Sequence, residues 1–153
     1  GTTGTPKGAE LTHFQLLMNA DTPGRVFDYQ PDDVALVILP LFHIFALSSQ
    51  LHVALRFGGT LSLLPRFDPV KAIEAIKRDR VTVFVGVPTM YIALLQMEVD
   101  PTDVESLRVG ISGGAPIPAE VIDAFEERFG ITILEGYGLT ESASTTTFNI
   151  SES

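Results

Sequence analysis

The feature that most restricts the fold is a regular alternation of short apolar runs with helix-like stretches. Val34 to Leu39 is an unbroken apolar run bounded by Asp32-Asp33 and Pro40. A strand with one wet face alternates polar and apolar residues, so a run without polar positions reads as a strand covered on both faces. Further strands are expected at Thr60–Leu64, Thr82–Val85, Arg108–Ile111 and Ile131–Leu134, with Thr145–Phe148 a candidate last strand. Helices fall between them. Thr12 with Gln15 three residues on forms a capping-box pattern, opening a helix expected to fade near Pro23-Gly24. A second helix is expected over 43–56, ending at Gly58-Gly59. Asp68 caps a third, with Pro69 at its first position and Val70, Ile73 and Ile76 as its buried stripe. Thr89–Met97 is the fourth. Pro118 opens the fifth, whose apolar positions are Val121, Ile122, Phe125 and Phe129 and which stops at Gly130. This order implies βαβ units, an α/β fold class and a mostly parallel sheet.

No internal repeat, low-complexity linker or second domain interrupts the pattern, so residues 1–153 read as a single α/β segment. The chain opens on Gly1-Thr2-Thr3-Gly4 without a Met and stops at Ser151-Glu152-Ser153, which reads as a piece of a longer protein. Charge narrows the function. A net charge of −9 disfavours a surface that tracks nucleic-acid phosphates, which needs clustered Lys and Arg. It leaves room for a nucleotide, because one Lys and a few backbone N–H groups can hold a phosphate locally. The absence of Cys excludes disulfides, Cys-zinc sites, iron–sulfur clusters and a cysteine nucleophile. A cytoplasmic location is the simplest expectation. The most apolar stretch, Val34 to Leu47, is broken by Pro40 and His43 and is shorter than the roughly 18 residues of a transmembrane span. No basic-then-apolar leader opens the sequence.

In open parallel sheets, ligands sit beyond the carboxyl ends of the strands. The loops to inspect are therefore 40–45, 86–88, 112–116 and 135–141, and the Gly-rich polar residues concentrate in the last two. Gly136-Tyr137-Gly138-Leu139-Thr140-Glu141 places a ring able to lie on a flat base beside a hydroxyl donor and a hard oxygen ligand suited to Mg²⁺. The plain alternative is a strand-ending turn with an exposed Tyr and a solvated Glu. Ser112-Gly113-Gly114-Ala115-Pro116 lets backbone lie against a ligand, although a tight turn with positive φ explains at least one Gly without any ligand. Gly1-Thr2-Thr3-Gly4-Thr5-Pro6-Lys7-Gly8 offers close backbone approach, hydroxyl donors and a cation, the chemistry of a phosphate loop, but it is not a Walker A sequence. Taken alone it is equally a flexible surface turn. His43, in Pro40-Leu41-Phe42-His43-Ile44-Phe45, follows a buried strand, where a lone His is more often a hydrogen-bonded structural residue than a catalyst. The three His, at 13, 43 and 52, form no metal-ligand cluster by spacing. Glu126-Glu127 reads as a solvated helix face and 100–103 as a loop.

These strings, in this order and across the whole chain, resemble the adenylate-forming, AMP-binding enzymes: acyl-CoA synthetases, 4-coumarate–CoA ligases, beetle luciferases and peptide-synthetase adenylation domains. The resemblance implies a segment of the large N-terminal domain of such an enzyme, with the C-terminal domain absent. It implies that Thr2, Thr3, Gly4, Thr5 and Lys7 hold the β- and γ-phosphates of ATP, and that Gly113, Gly114, Ala115 and Pro116 border adenine and the acyl pocket. Tyr137, between Gly136 and Gly138, would contact adenine, Thr140 the α-phosphate and Glu141 Mg²⁺. His43 and Phe45 match a His-x-Phe pattern beside the reacting carboxylate, which Gly114 and Gly138 also border. Lys7, His43, Thr140 and Glu141 would be the catalytic set.

The sequence also departs from the family. The first residues of the phosphate loop are not included, and position 46 is Ala where many relatives have Gly. The ribose-binding Asp, a hinge and the C-terminal domain with its catalytic Lys would lie downstream. No carboxylate occurs from residue 34 through 67, so a free amino acid is a poor substrate, its buried ammonium lacking a partner. The resemblance thus implies activation of a plain carboxylic acid with ATP and Mg²⁺, then transfer to coenzyme A. A fatty acid is the first expectation and an aryl acid the second. Leu41, Phe42, Phe45, Leu47, Val87 and Tyr91 would supply an apolar pocket, or simply core. A non-catalytic nucleotide-binding module and a luciferase-like oxygenase remain alternatives.

Overall fold

The computed structural model describes residues 4–149. Six strands form one sheet: β1 (Val34–Val37), β2 (Thr60–Leu63), β3 (Val83–Gly86), β4 (Val109–Gly113), β5 (Thr132–Leu139) and β6 (Ser144–Phe148), in the order β2-β1-β3-β4-β5-β6. The first five are parallel, and β6 runs antiparallel to β5. The expected α/β class and mostly parallel sheet are present.

Both faces are covered. Side chains alternate across a strand, and β3 shows the division: Phe84 packs with Leu36, Ile76, Tyr91 and Phe125, while Val83 and Val85 pack with Ala20, Ala35, Val53 and Ile111. The first layer is built by α4 (Pro69–Asp79), α5 (Pro88–Leu95) and α6 (Ala119–Phe129). The second is built by α1 (His13–Val26) and a helical stretch made of α2 (Ile44–Ala46), a wider π-helical turn (Leu47–His52) and α3 (Val53–Phe57).

Local chemistry sets the ends. Thr12 and Gln15 form the expected reciprocal cap of α1. Asp68 accepts from the Lys71 N–H at 3.0 Å with Pro69 in the first turn of α4. Gly58 and Gly130 take the left-handed conformation that closes α3 and α6. Three expectations need correction. The helix α1 runs through Pro23 to Val26, and its end is closed by Phe27 and Tyr29 N–H groups donating to Pro23 and Gly24 carbonyls. On α4, Val70 is 53% exposed, and the buried stripe is Ala72, Ala75 and Ile76, with Ile73 partly covered. The reason is angular: Val70 and Ile76 are six residues apart and lie on different faces at about 100° per residue. The largest correction concerns Gly136–Leu139, expected as loop, which is the outer half of β5 and pairs with β6. Smaller ones follow. Pro101–Val104 forms a short 3₁₀ turn capped by Asp100, and Glu126 is half-buried, accepting from the Ile133 N–H at 3.0 Å.

Candidate nucleotide and acyl site

The parallel register aligns the carboxyl ends of the central strands. Gly113 at the end of β4 lies beside Gly136 of β5. Beyond that point β5 has no parallel neighbour and turns to β6 for its hydrogen bonds, with a bulge between Tyr137 and Gly138. A cavity of about 470 Å³ opens there, lined by His43, Ile44 and Phe45, by Gly113 and Gly114, by 136–141, and by Ser144, Thr145 and Phe148. A second hollow of about 370 Å³ adjoins it around Gly114, Ala115, Pro116, Glu135 and Tyr137. Three of the four inspected loops thus converge on one place.

The glycines have separate reasons. Gly114 has φ +80, the positive-φ turn expected between β4 and the next helix. A Cβ on Gly113 would meet the Phe45 ring at 2.9 Å, and one on Gly136 the Phe148 ring at 2.8 Å. At Gly138 the obstacle is backbone, because a Cβ there would run into the Ser144 carbonyl oxygen. That approach folds β5 tightly onto β6. The same glycines keep part of the cavity wall bare backbone, and the Tyr137 ring, 60% exposed, is the most exposed of the Phe and Tyr rings that line it.

His43 caps the helical stretch that begins with α2. Its Nδ1 accepts from the Phe45 N–H at 3.2 Å. In the neutral imidazole this leaves the proton on Nε2, so the second nitrogen is a donor. Thr140 and Glu141 are exposed on a short turn, Thr140–Ser142, at the rim of the cavity. Glu135 was not singled out by the sequence. Its Oε1 accepts from the Ile117 N–H at 3.0 Å and ties the 114–117 loop to β5. Asn19, Ser49 and Thr145 also escaped notice, because their partners are 95 to 126 residues away and no local pattern marks them.

The remaining expected residues distribute as follows. Gly4, Thr5 and Lys7 are exposed, and they line neither hollow. Thr2 and Thr3 lie outside the described residues. Of the apolar candidates, Phe45 lines the cavity. Tyr91 is core, fully buried with its hydroxyl donating to the Phe84 carbonyl at 3.1 Å. Phe42 is 93% exposed, and Leu41 lines a separate apolar cleft with Leu39, Leu63 and Phe67. Among the described residues no group of three or more His, Asp or Glu could hold a metal by itself. The carboxylate that meets the cavity is Glu141, a hard oxygen donor of the type that can hold Mg²⁺ beside phosphate oxygens.

A parallel sheet with a glycine-walled cavity at its carboxyl edge is the class of open α/β protein that binds ligands beyond its strand ends. Comparison gives the family. The model of the AMP-binding enzyme family matches residues 1–153, and the chain belongs to that family. A long-chain-fatty-acid–CoA ligase of Bacillus subtilis is 37% identical over 152 residues, 97% of this chain and 27% of the relative. A feruloyl-CoA synthase of an Amycolatopsis species is 42% identical over 144 residues, 94% of this chain and 29% of the relative. Among solved structures, ATP-bound MatB from Rhodopseudomonas palustris superposes with TM-score 0.91 at 36% identity, covering all of this chain and 30% of MatB. The inhibitor-bound N-terminal domain of FACL13 from Mycobacterium tuberculosis gives 0.91 at 33% identity, covering 99% of this chain and 38% of that one. The chain therefore spans less than two-fifths of each of these relatives.

Proposed function

We propose that the full protein activates a carboxylic acid with ATP to an acyl-adenylate and passes the acyl group to coenzyme A. The observation that carries this reading is the single cavity shared by His43, Phe45, Gly113, Gly114 and the 136–141 segment. In the first half-reaction a carboxylate oxygen attacks the α-phosphorus and pyrophosphate leaves. In the second, the thiol of coenzyme A attacks the acyl carbonyl, AMP leaves and a thioester forms. The protein's part is to position reactants and neutralise charge. Tyr137 stacks on adenine, with Gly113 to Pro116 as the opposite border. Thr140 donates to an α-phosphate oxygen. The Nε2–H of His43, left as the free donor by the Nδ1 contact with the Phe45 N–H, donates to the substrate carboxylate. Lys7 with Thr2, Thr3, Gly4 and Thr5 holds the outer phosphates. Glu141 would be the protein ligand of Mg²⁺, which would supply positive charge to offset that of the phosphates.

The acid is a plain carboxylic acid, a fatty acid first. An aryl acid is the second reading, favoured by the feruloyl-CoA synthase among the relatives. The test is carboxylate-dependent ATP–pyrophosphate exchange by the full-length protein with Mg²⁺. The panel is fatty acids of graded length, aryl acids and amino acids. Exchange with one class of plain acid is expected. ATP binding without exchange on any acid would overturn the reading in favour of a non-catalytic nucleotide-binding module.

A further inference from the structure

We infer that Asn19, on the helix α1, is a positioning residue for the Thr140–Glu141 turn. Its amide holds the C-terminal side of the connection between β5 and β6. Nδ2 donates to the carbonyls of Ser142 at 3.1 Å and Thr145 at 2.7 Å, while Oδ1 accepts from the Thr145 N–H at 2.9 Å and the Ser48 hydroxyl at 3.3 Å. An amide has two N–H donors and two acceptor lone pairs, and all four are engaged here. The orientation of the amide follows from the partners, since the flipped form would set N–H against N–H and oxygen against two carbonyls. Three of the four partners are backbone atoms, of Ser142 at the end of the turn that carries Thr140 and Glu141 and of Thr145 just beyond it.

The turn needs an external hold. Ala143 and Ser144 have φ of 62 and 116, values a non-Gly residue adopts at a cost. Ser144 is pressed against Gly138, and its hydroxyl meets Ser49 at 3.1 Å. Ser48 and Ser49 both lie on the π-helical turn, a local widening that presents them toward α1 and β6. Asn19 is thus the hub of a polar cluster joining α1, the π turn and β6 directly behind the exposed rim. It touches no residue that the proposed reaction uses, so any effect on chemistry passes through the turn.

The inference rests on the proposed roles of Thr140 and Glu141. The test is a cycle in the full-length protein, with Asn19→Ala made alone and in a Thr140→Ala, Glu141→Gln background. Exchange kinetics and the hydrogen-exchange rate of the Thr145 amide are read for each. Asn19→Ala is expected to lower kcat on the order of 10- to 100-fold, with the KM for the acid within about twofold. In the background that already lacks Thr140 and Glu141, it should cost less than about twofold more. The Thr145 amide should exchange faster. Asn19→Asp keeps the acceptor and sets a carboxylate against two carbonyls, so it should lose at least as much. If Asn19→Ala does not fold, Ser49→Ala replaces it and should give a smaller loss with the same dependence on background. Losses that multiply in both backgrounds, or no loss at all, overturn the positioning role. Normal exchange in the Thr140→Ala, Glu141→Gln protein overturns the functional reading and the positioning role with it.

Discussion

Glu141 and Gly138 are three residues apart and should fail in opposite ways. Glu141 is exposed at the rim of the cavity, so Glu141→Gln removes a charge there and little else. Exposed substitutions of this kind shift stability by about 0.5 kcal/mol or less. Loss of a charge placed for phosphoryl transfer costs on the order of 100-fold or more in rate. Pyrophosphate exchange and a thermal melt on the same preparation separate the two effects, and a variant with normal exchange excludes Glu141 from the reaction. At Gly138 the energetics reverse. A Cβ there collides with the Ser144 carbonyl, and backbone cannot swing aside as the Phe148 ring can for Gly136. Gly138→Ala should lower stability by about 3 kcal/mol, and Gly136→Ala by less. Equal melting points for the two would contradict the backbone approach.

Among the elements, the join between β1 and β3 shows how a side chain completes a sheet. Those strands pair only through Ala35↔Val83 and Leu36↔Phe84. Where the ladder stops, the buried Gln50 amide on the π turn donates to the Leu36 carbonyl at 2.9 Å and reaches the Val85 carbonyl at 3.5 Å. Gln50→Leu strips a buried carbonyl of its donor, and about 1–3 kcal/mol of stability should go with it. At the amino ends of β1, β3 and β4, Asp33 holds Arg108, the Thr82 hydroxyl and the Gln30 N–H. Burial pushes its carboxyl up, but Arg108 and the two other donors outweigh burial, so it lies below the usual carboxylate range. Arg78 and the Ser62 hydroxyl hold Asp79 down at about 2. A depressed carboxyl stabilises the fold above the unfolded value, near 4. That stability drains away as pH falls through the native value. The melting point should therefore drop steeply below about pH 4, and replacing Asp33 with Asn should flatten the drop while lowering the plateau.

The elements also show what the sequence could carry. The capping box at Thr12 and the Asp68-Pro69 start were legible because a cap is a local bargain between side chain and backbone. The fully apolar Val34 run announced a strand with two covered faces. The outer half of β5 was not legible, because the glycines on both sides of Tyr137 weaken its strand propensity and its pairing partner is β6. The site divided the same way. The residues at the ends of β4 and β5 and around His43 could be named in advance because topology puts such loops at one edge. Asn19, Glu135 and Gln50 act through contacts distant in sequence, which no local pattern encodes.

At the scale of the whole molecule, the surfaces left uncovered bear on what these residues can do alone. Helix α1 turns Phe14, Leu17 and Met18 outward while burying Ala20 on its other side, and β6 offers an edge beside it. The same chain covers only 27% to 30% of the CoA ligase, feruloyl-CoA synthase and MatB polypeptides it resembles. The cavity brings one carboxylate, one hydroxyl-bearing turn and one imidazole to a single edge, while the exposed Lys7 lines neither hollow. Phosphoryl-transfer catalysis depends on several positioned charges acting together, and losing any one costs orders of magnitude. Residues 1–153 expressed alone should therefore exchange pyrophosphate at less than about 1% of the full-length rate. The comparison is decisive when both preparations show cooperative melting, since a fragment that is folded but inactive places the missing groups elsewhere in the polypeptide. Turnover by the folded fragment within tenfold of the full-length protein would mean that the cavity at the ends of β4 and β5 is already a complete catalytic centre.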